Sequence, residues 1–164
     1  MSNEALIAEL KHEATLTRKM LERVPVDKAS WKPHEKSMSL GRLATHVAEI
    51  PHWISDIINS NEYDFGAHPF KRHIAASQEE LLSICDTNTN AALADMAAAD
   101  ETSLNNTWTV RSGEQVYFTL PKKVAIRGWG LSHLYHHRGQ LSVYLRLLDI
   151  PVPGMYGPSA DEKM

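Results

Sequence analysis

The stretch Gly130-Leu-Ser-His-Leu-Tyr-His-His-Arg-Gly-Gln140 places His133 and His137 at a spacing of i, i+4. On a helix that spacing points both imidazoles from one face, at a separation one metal ion can bridge. Steps of three and four residues outward from the pair reach Ile126, Gly130, Leu141, Tyr144 and Leu148. This is the stripe that an amphipathic helix turns inward. Two histidines in such a stripe need partners, because an unpaired buried polar group costs about 1–3 kcal/mol. The partner is either a divalent metal or a hydrogen-bonded neighbour.

A third histidine bears on that choice. His46 lies among Leu43, Val47, Ile50, Ile54 and Ile57, which again follow helical steps. Three inward histidines on two helices can supply three nitrogen ligands and leave a fourth position open to water or substrate, as in catalytic zinc sites. Imidazole suits zinc, nickel and iron alike, so the ligand type does not select the ion.

The bulk numbers narrow the class. The chain has 164 residues, enough to bury a real core in one domain spanning residues 1–164. A net charge of −3 argues against a general nucleic-acid binder. Lys and Arg are scattered along the sequence, which disfavours a membrane-surface patch and a polyanionic substrate. The single cysteine, Cys85, excludes an internal disulfide and a thiolate metal cluster. No apolar run is long enough to span a membrane and the N-terminus lacks signal-peptide features, so a cytoplasmic protein is expected.

Four helices are expected. The first runs from Asn3 to about Arg23, ended by Pro25, and a non-periodic connector with Trp31 and Pro33 follows to Met38. The second starts at Ser37 or Ser39 as N-cap and continues to Asn59, with a kink at Pro51. Ser77-Gln-Glu-Glu80 is a capping-box pattern that opens the third, with Leu81, Leu82, Cys85, Leu93 and Met96 as its apolar positions. Between Thr102 and Leu120, alternation around Ser112-Gly113 predicts a small hairpin. Pro121 then opens a fourth helix to about Asp149, and a Pro- and Gly-rich tail follows. The fold class is all-α: a four-helix bundle with long crossover loops and a hairpin-like insertion before the last helix.

With these residues in view, the whole chain resembles the DinB-like family of metal-binding four-helix bundles, which includes thiol-dependent S-transferases and mycothiol-dependent maleylpyruvate isomerases. The resemblance rests on His46 after a Trp31-x-Pro33 loop, on His133-x-x-x-His137-Arg-Gly-Gln140, and on the tail Tyr156-Gly-Pro-Ser-Ala-Asp161. It implies that His46, His133 and His137 are the ligands of one divalent ion, that a low-molecular-weight thiol is a cosubstrate, and that the chain forms a homodimer. The function expected is metal-dependent transfer with that thiol as nucleophile and a small molecule as acceptor. The alternatives are metal-dependent hydrolysis and a non-catalytic metal- or ligand-binding role in stress.

No other residue is assigned catalysis. Leu134 follows His133, so the His-Glu-x-x-His general base of zinc peptidases is missing. His136 sits about 100° round the helix from His137 and is read as a surface or supporting residue. Glu49 is read as a solvated or salt-bridged carboxylate in preference to a base, Tyr156 as a packing anchor, and Arg138 and Gln140 as residues that orient the helix or a substrate or hold the tail. His12, His34, His52, His68 and His73 receive no role.

Overall fold

The computed structural model describes residues 2–67 and 72–163; His68 lies outside them. Helix α1 (Asn3–Leu21) opens with the Ser2 hydroxyl accepting from the Ala5 amide at 3.3 Å, and carries Glu4 in its first turn and Arg18 and Lys19 in its last. Those charges oppose the helix dipole at each end. In the connector, Val26–Lys28 forms one short 3₁₀ turn. The cap of α2 (Leu40–Asn59) is Ser39, whose hydroxyl accepts from the Arg42 amide. This helix is buried on nearly every side and packs against α1, α3 and the last helix. It continues through Pro51 without ending.

Helix α3 (Gln78–Ala98) begins as the capping pattern predicts, with Ser77 Oγ accepting from the Glu80 amide at 3.1 Å. The reciprocal bond reaches one residue further back than the ideal box, since Glu80 Oε2 accepts from the Ala76 amide. Leu81, Cys85, Ala92 and Met96 form its buried stripe, with Leu82 and Leu93 on the flank.

The all-α expectation needs correction, because the insertion is part of a three-stranded sheet. The hairpin is present as β2 (Thr107–Ser112) and β3 (Gln115–Pro121), turning at Gly113 with φ +55°. A third strand, β1 (Glu62–Asp64), pairs parallel to β2 with Tyr63 opposite Val110. Three residues directly after a long helix carry no readable alternation, and the partner lies more than forty positions away in sequence. Tertiary bonds secure the strand: Arg111 pairs with Glu62 at 2.8 Å, and Asp64 accepts from the Gly113 amide at 3.0 Å. Trp108 and Val110 point inward and are fully buried against Leu6, Ile57, Met96 and Ile126. A two-stranded ribbon alone is marginal in water; the third strand and this apolar face stabilise it.

The last helix, α4 (residues 122–147), is continuous but not uniform. Lys122–Ala125 and His133–Leu147 are α-helical, whereas Ile126–Ser132 between them is π-helical. A π segment inserts extra residues per turn and shifts the helical face. The buried stripe beyond it is accordingly Leu134, Arg138, Leu141 and Leu145. Of the row read from sequence, Ile126, Gly130 and Leu141 are buried, whereas His133, His137, Tyr144 and Leu148 lie on the half-buried flank. The π segment also comes close to α2: a Cβ on Gly130 would meet Ile54 Cγ1 at 2.8 Å, so only glycine fits without displacement.

Candidate metal centre

Helices α2 and α4 bring the three histidines together. Ring centroids lie 5.0 Å apart for His46 and His133, 4.6 Å for His46 and His137, and 4.7 Å for His133 and His137. One nitrogen from each ring falls within 4.8 Å of the others, so the group can hold a metal ion. His46 Nε2 and His133 Nε2 are 3.2 Å apart. Two nitrogens bound at about 2.0–2.1 Å to one tetrahedral ion would stand about 3.3 Å apart, so this spacing fits the donor set.

Surrounding bonds fix which nitrogens face the centre. His137 Nδ1 donates to Gln140 Oε1 at 2.7 Å, which leaves its Nε2 as a bare lone pair. The Gln140 amide in turn donates to His136 Nε2 at 3.0 Å. His136 is thereby an exposed support for Gln140. At His46, Arg42 Nη2 stands 3.4 Å from Nδ1, and a guanidinium can only donate. Nδ1 is therefore the acceptor, and Nε2 carries the proton it shares with His133 Nε2. In the tautomer with the proton on Nδ1, His46 Nε2 would present a lone pair beside those of the other two rings, and the Arg42 donation would be given up. Glu49 Oε2, 4.0 Å from His46 Nδ1, lies on the side where that proton would arrive.

Burial keeps all three rings neutral at neutral pH, the form that binds metals. Desolvation, with the repulsion of His137, His133 and Arg42, brings His46 from 6.5 to about 3. Desolvation and His137 bring His133 to about 4, although the Trp129 carbonyl favours its protonated form. His137 is lowered chiefly by burial. Even so, among the described residues no hydrogen bond of normal geometry closes on the buried His133 Nδ1 or on Trp129 Nε1.

Aromatic rings wall one side. Trp129 stacks at a tilt on His133 with centroids 5.6 Å apart, and Trp53 meets Trp129 edge to face at 5.8 Å. Trp129 also touches both halves of the apolar core, so the cluster sits at their junction. Glu49 is salt-bridged as expected, to Arg42 at 2.7 Å.

Other residues singled out in the sequence lie apart from the cluster. Arg138, next to His137 but on the buried stripe, pairs with Glu13 at 2.5 Å and donates to Thr17 Oγ1 at 2.9 Å and to the Tyr156 hydroxyl. Tyr156 also donates to Glu13 at 2.7 Å. Asp161 accepts from the Val152 amide and pairs with Arg146. The tail motif thus holds the C-terminal segment on α1 and α4. Trp31 packs edge to face on Tyr144 at 5.6 Å. Sequence reasoning missed Arg42, whose position four residues before His46 on the same helix was the available signal.

Comparison with known proteins agrees with this architecture. The family model described as DinB family matches residues 1–163. YjoA of Bacillus subtilis (strain 168) is 26% identical over 148 residues, covering 88% of this chain and 89% of YjoA. YrdA of the same organism is 25% identical over 153 residues, covering 92% and 85%. Among solved structures, a DinB-like protein from Bacillus cereus ATCC 10987 superposes with a TM-score of 0.70 at 22% identity, covering 93% of this chain and 97% of that one. The DinB-like YjoA structure from Bacillus subtilis gives 0.68 at 21% identity, covering 98% and 99%. At that identity the two structures speak for the fold.

Proposed function

The chain belongs to the DinB family, and we propose that His46, His133 and His137 hold one divalent ion, zinc or nickel before iron, in a transferase site for a small thiol. The observation that carries this reading is the convergence of three neutral imidazoles from two helices, with Nε2 of His46 and His133 at a ligand-like 3.2 Å. When bound, such an ion lowers the pKa of a thiol or water placed on it and so supplies a nucleophile at neutral pH.

The remaining work falls to the chain. Gln140 holds the His137 ring with its Nε2 inward. Arg42 donates toward His46 Nδ1 and pairs with Glu49, whose Oε2 stands 4.0 Å from the same nitrogen. Trp53 and Trp129 exclude water from one side, which strengthens charge interactions at the centre. Among the described residues no carboxylate joins the three-histidine group, and Glu49 is engaged by Arg42, so the cluster offers no unengaged carboxylate to activate a water for hydrolysis. A homodimer belongs to the same reading; exposed Val143 and Leu147, one turn apart on α4, offer an apolar patch for a second copy.

Elemental analysis of untagged protein, beside the His133→Ala/His137→Ala variant, tests the centre. About one ion per chain, absent from the variant, is the expected result. No metal after reconstitution with zinc, nickel or iron would reduce the cluster to a hydrogen-bonded core network. In cobalt-substituted protein, a spectral change on adding thiol supports transfer. Turnover of an ester with water alone supports hydrolysis, and tight metal without either response supports a binding role.

A further inference from the structure

Scattered along the sequence, Lys32, Lys36, Arg42 and Arg72 are gathered in space. They line one cleft of about 520 Å³, together with His46 and a single carboxylate, Glu35. This overturns the expectation, drawn from their separation in sequence, that a basic cluster is absent. Lys32 and Lys36 come from the connector, Arg42 from the first turn of α2, and Arg72 from the segment leading to α3.

The lining runs against the chain as a whole, which carries a net charge of −3. Lys32, Lys36 and Arg72 are exposed and form no ion pair among the described residues. Arg42 is different in kind. It is 8% exposed and held by Glu49 at 2.7 Å and the His73 carbonyl at 2.9 Å, so it is a fixed charge beneath three adjustable ones. The capped start of α2, at Ser39, adds the positive end of a helix dipole to the same wall. A recess in which one sign of charge predominates, here four cations against Glu35 in the lining, concentrates ligands of the other sign.

We infer that this cleft binds the anionic end of the small molecule that reacts at the histidine cluster, a carboxylate- or phosphate-bearing ligand. The volume lies within the range of about 300–1,000 Å³ usual for small-molecule sites. His46 belongs to both the cleft and the cluster, so an anion held there leaves the rest of its molecule beside the three nitrogens. The inference rests on the metal reading for what the ligand meets next; capture of the anion does not require the ion.

The test uses the full chain, metal-free and at low ionic strength, with inorganic phosphate and succinate as separate probes followed by amide chemical shifts and calorimetry. The expected result is that one or both probes shift the amides of residues 32–42 and of Arg72, and that added salt weakens binding by screening. Lys32→Gln/Lys36→Gln/Arg72→Gln should bind at least about tenfold more weakly, since it loses three charged donors. Glu35→Gln should bind more tightly, a gain that partial unfolding cannot imitate. Preference for phosphate assigns a phosphate ester, and preference for succinate a carboxylate. Neither probe shifting these amides, or wild-type affinity in the triple variant, overturns the inference. Metal content separates the two readings. Anion binding in a protein that takes up no metal sinks the metal centre alone, and a metal-loaded protein whose cleft ignores both probes sinks the cleft alone.

Discussion

Two polar clusters sit on adjacent residues of one helix and are built in opposite ways. Arg138 and Glu13 are 3% and 5% exposed, and Thr17, Tyr156 and the Glu13 carbonyl supply further hydrogen bonds. His137, one position away, belongs to a half-buried trio whose members crowd one another, and among the described residues no hydrogen bond of normal geometry reaches the buried His133 Nδ1 or Trp129 Nε1. A saturated cluster has no capacity left for a ligand. An under-satisfied one that adjoins an open cleft has a use for it. Because 100° of helix rotation separates the two faces, one short sequence motif carries both a structural latch and a candidate reactive centre.

The contrast can be broken first at the latch. Arg138→Ala leaves Glu13 buried without its cation and should lower stability by about 3–5 kcal/mol, read from chemical denaturation, while the folded fraction still binds metal. Equal stability with lost metal would reverse the roles assigned to the two faces. His46→Ala should do the opposite, keeping helical content by circular dichroism and weakening metal binding by more than about a hundredfold, since loss of a supporting bond alone costs about 10–100-fold. Unchanged stoichiometry in that variant would remove His46 from the centre. Gln140→Ala probes the border of the two designs. It frees the His137 ring without deleting a ligand, so about a tenfold loss of metal affinity is expected by competition with a chromogenic chelator.

The last prediction concerns pH. His46 and His133 titrate near 6.5 when unfolded but at about 3 and about 4 in the fold. Between those limits the unfolded chain binds more protons, so the metal-free protein is destabilised as pH falls. These groups contribute no slope above about 6.5, a penalty that rises from there to about 4 for His133 and about 3 for His46, and a saturated one below. Thermal midpoints of the metal-free protein should fall through that window, and the fall between about 6.5 and 5 lies above the usual range of carboxylate titration. His46→Ala/His133→Ala should flatten the slope; a slope unchanged in that variant would assign it to other groups.

Helix periodicity pointed to His46, His133 and His137, capping preferences to Ser37 or Ser39 and to the pattern at Ser77, and strand alternation to the turn around Ser112-Gly113. Each of these is decided by side chains within a few residues of one another, and such local preferences are written directly in the order of the chain. Other features arise only once the chain is folded. The strand at Glu62–Asp64 exists because β2 offers it an edge. The π segment before His133 moves Leu134 and Arg138 into the buried row, and no spacing rule reports such a register shift. Arg138 meets Glu13 across 125 positions, and the cationic cleft is assembled from segments forty residues apart. The sequence by itself determined the helices, their caps and the three candidate ligands, because these follow from backbone geometry and local bonding. Tertiary packing decided which histidine faces open on a cleft, which charge is sealed, and that a chain of net negative charge presents a positive recess. These depend on long-range burial and Coulomb interactions that act only between surfaces already brought together.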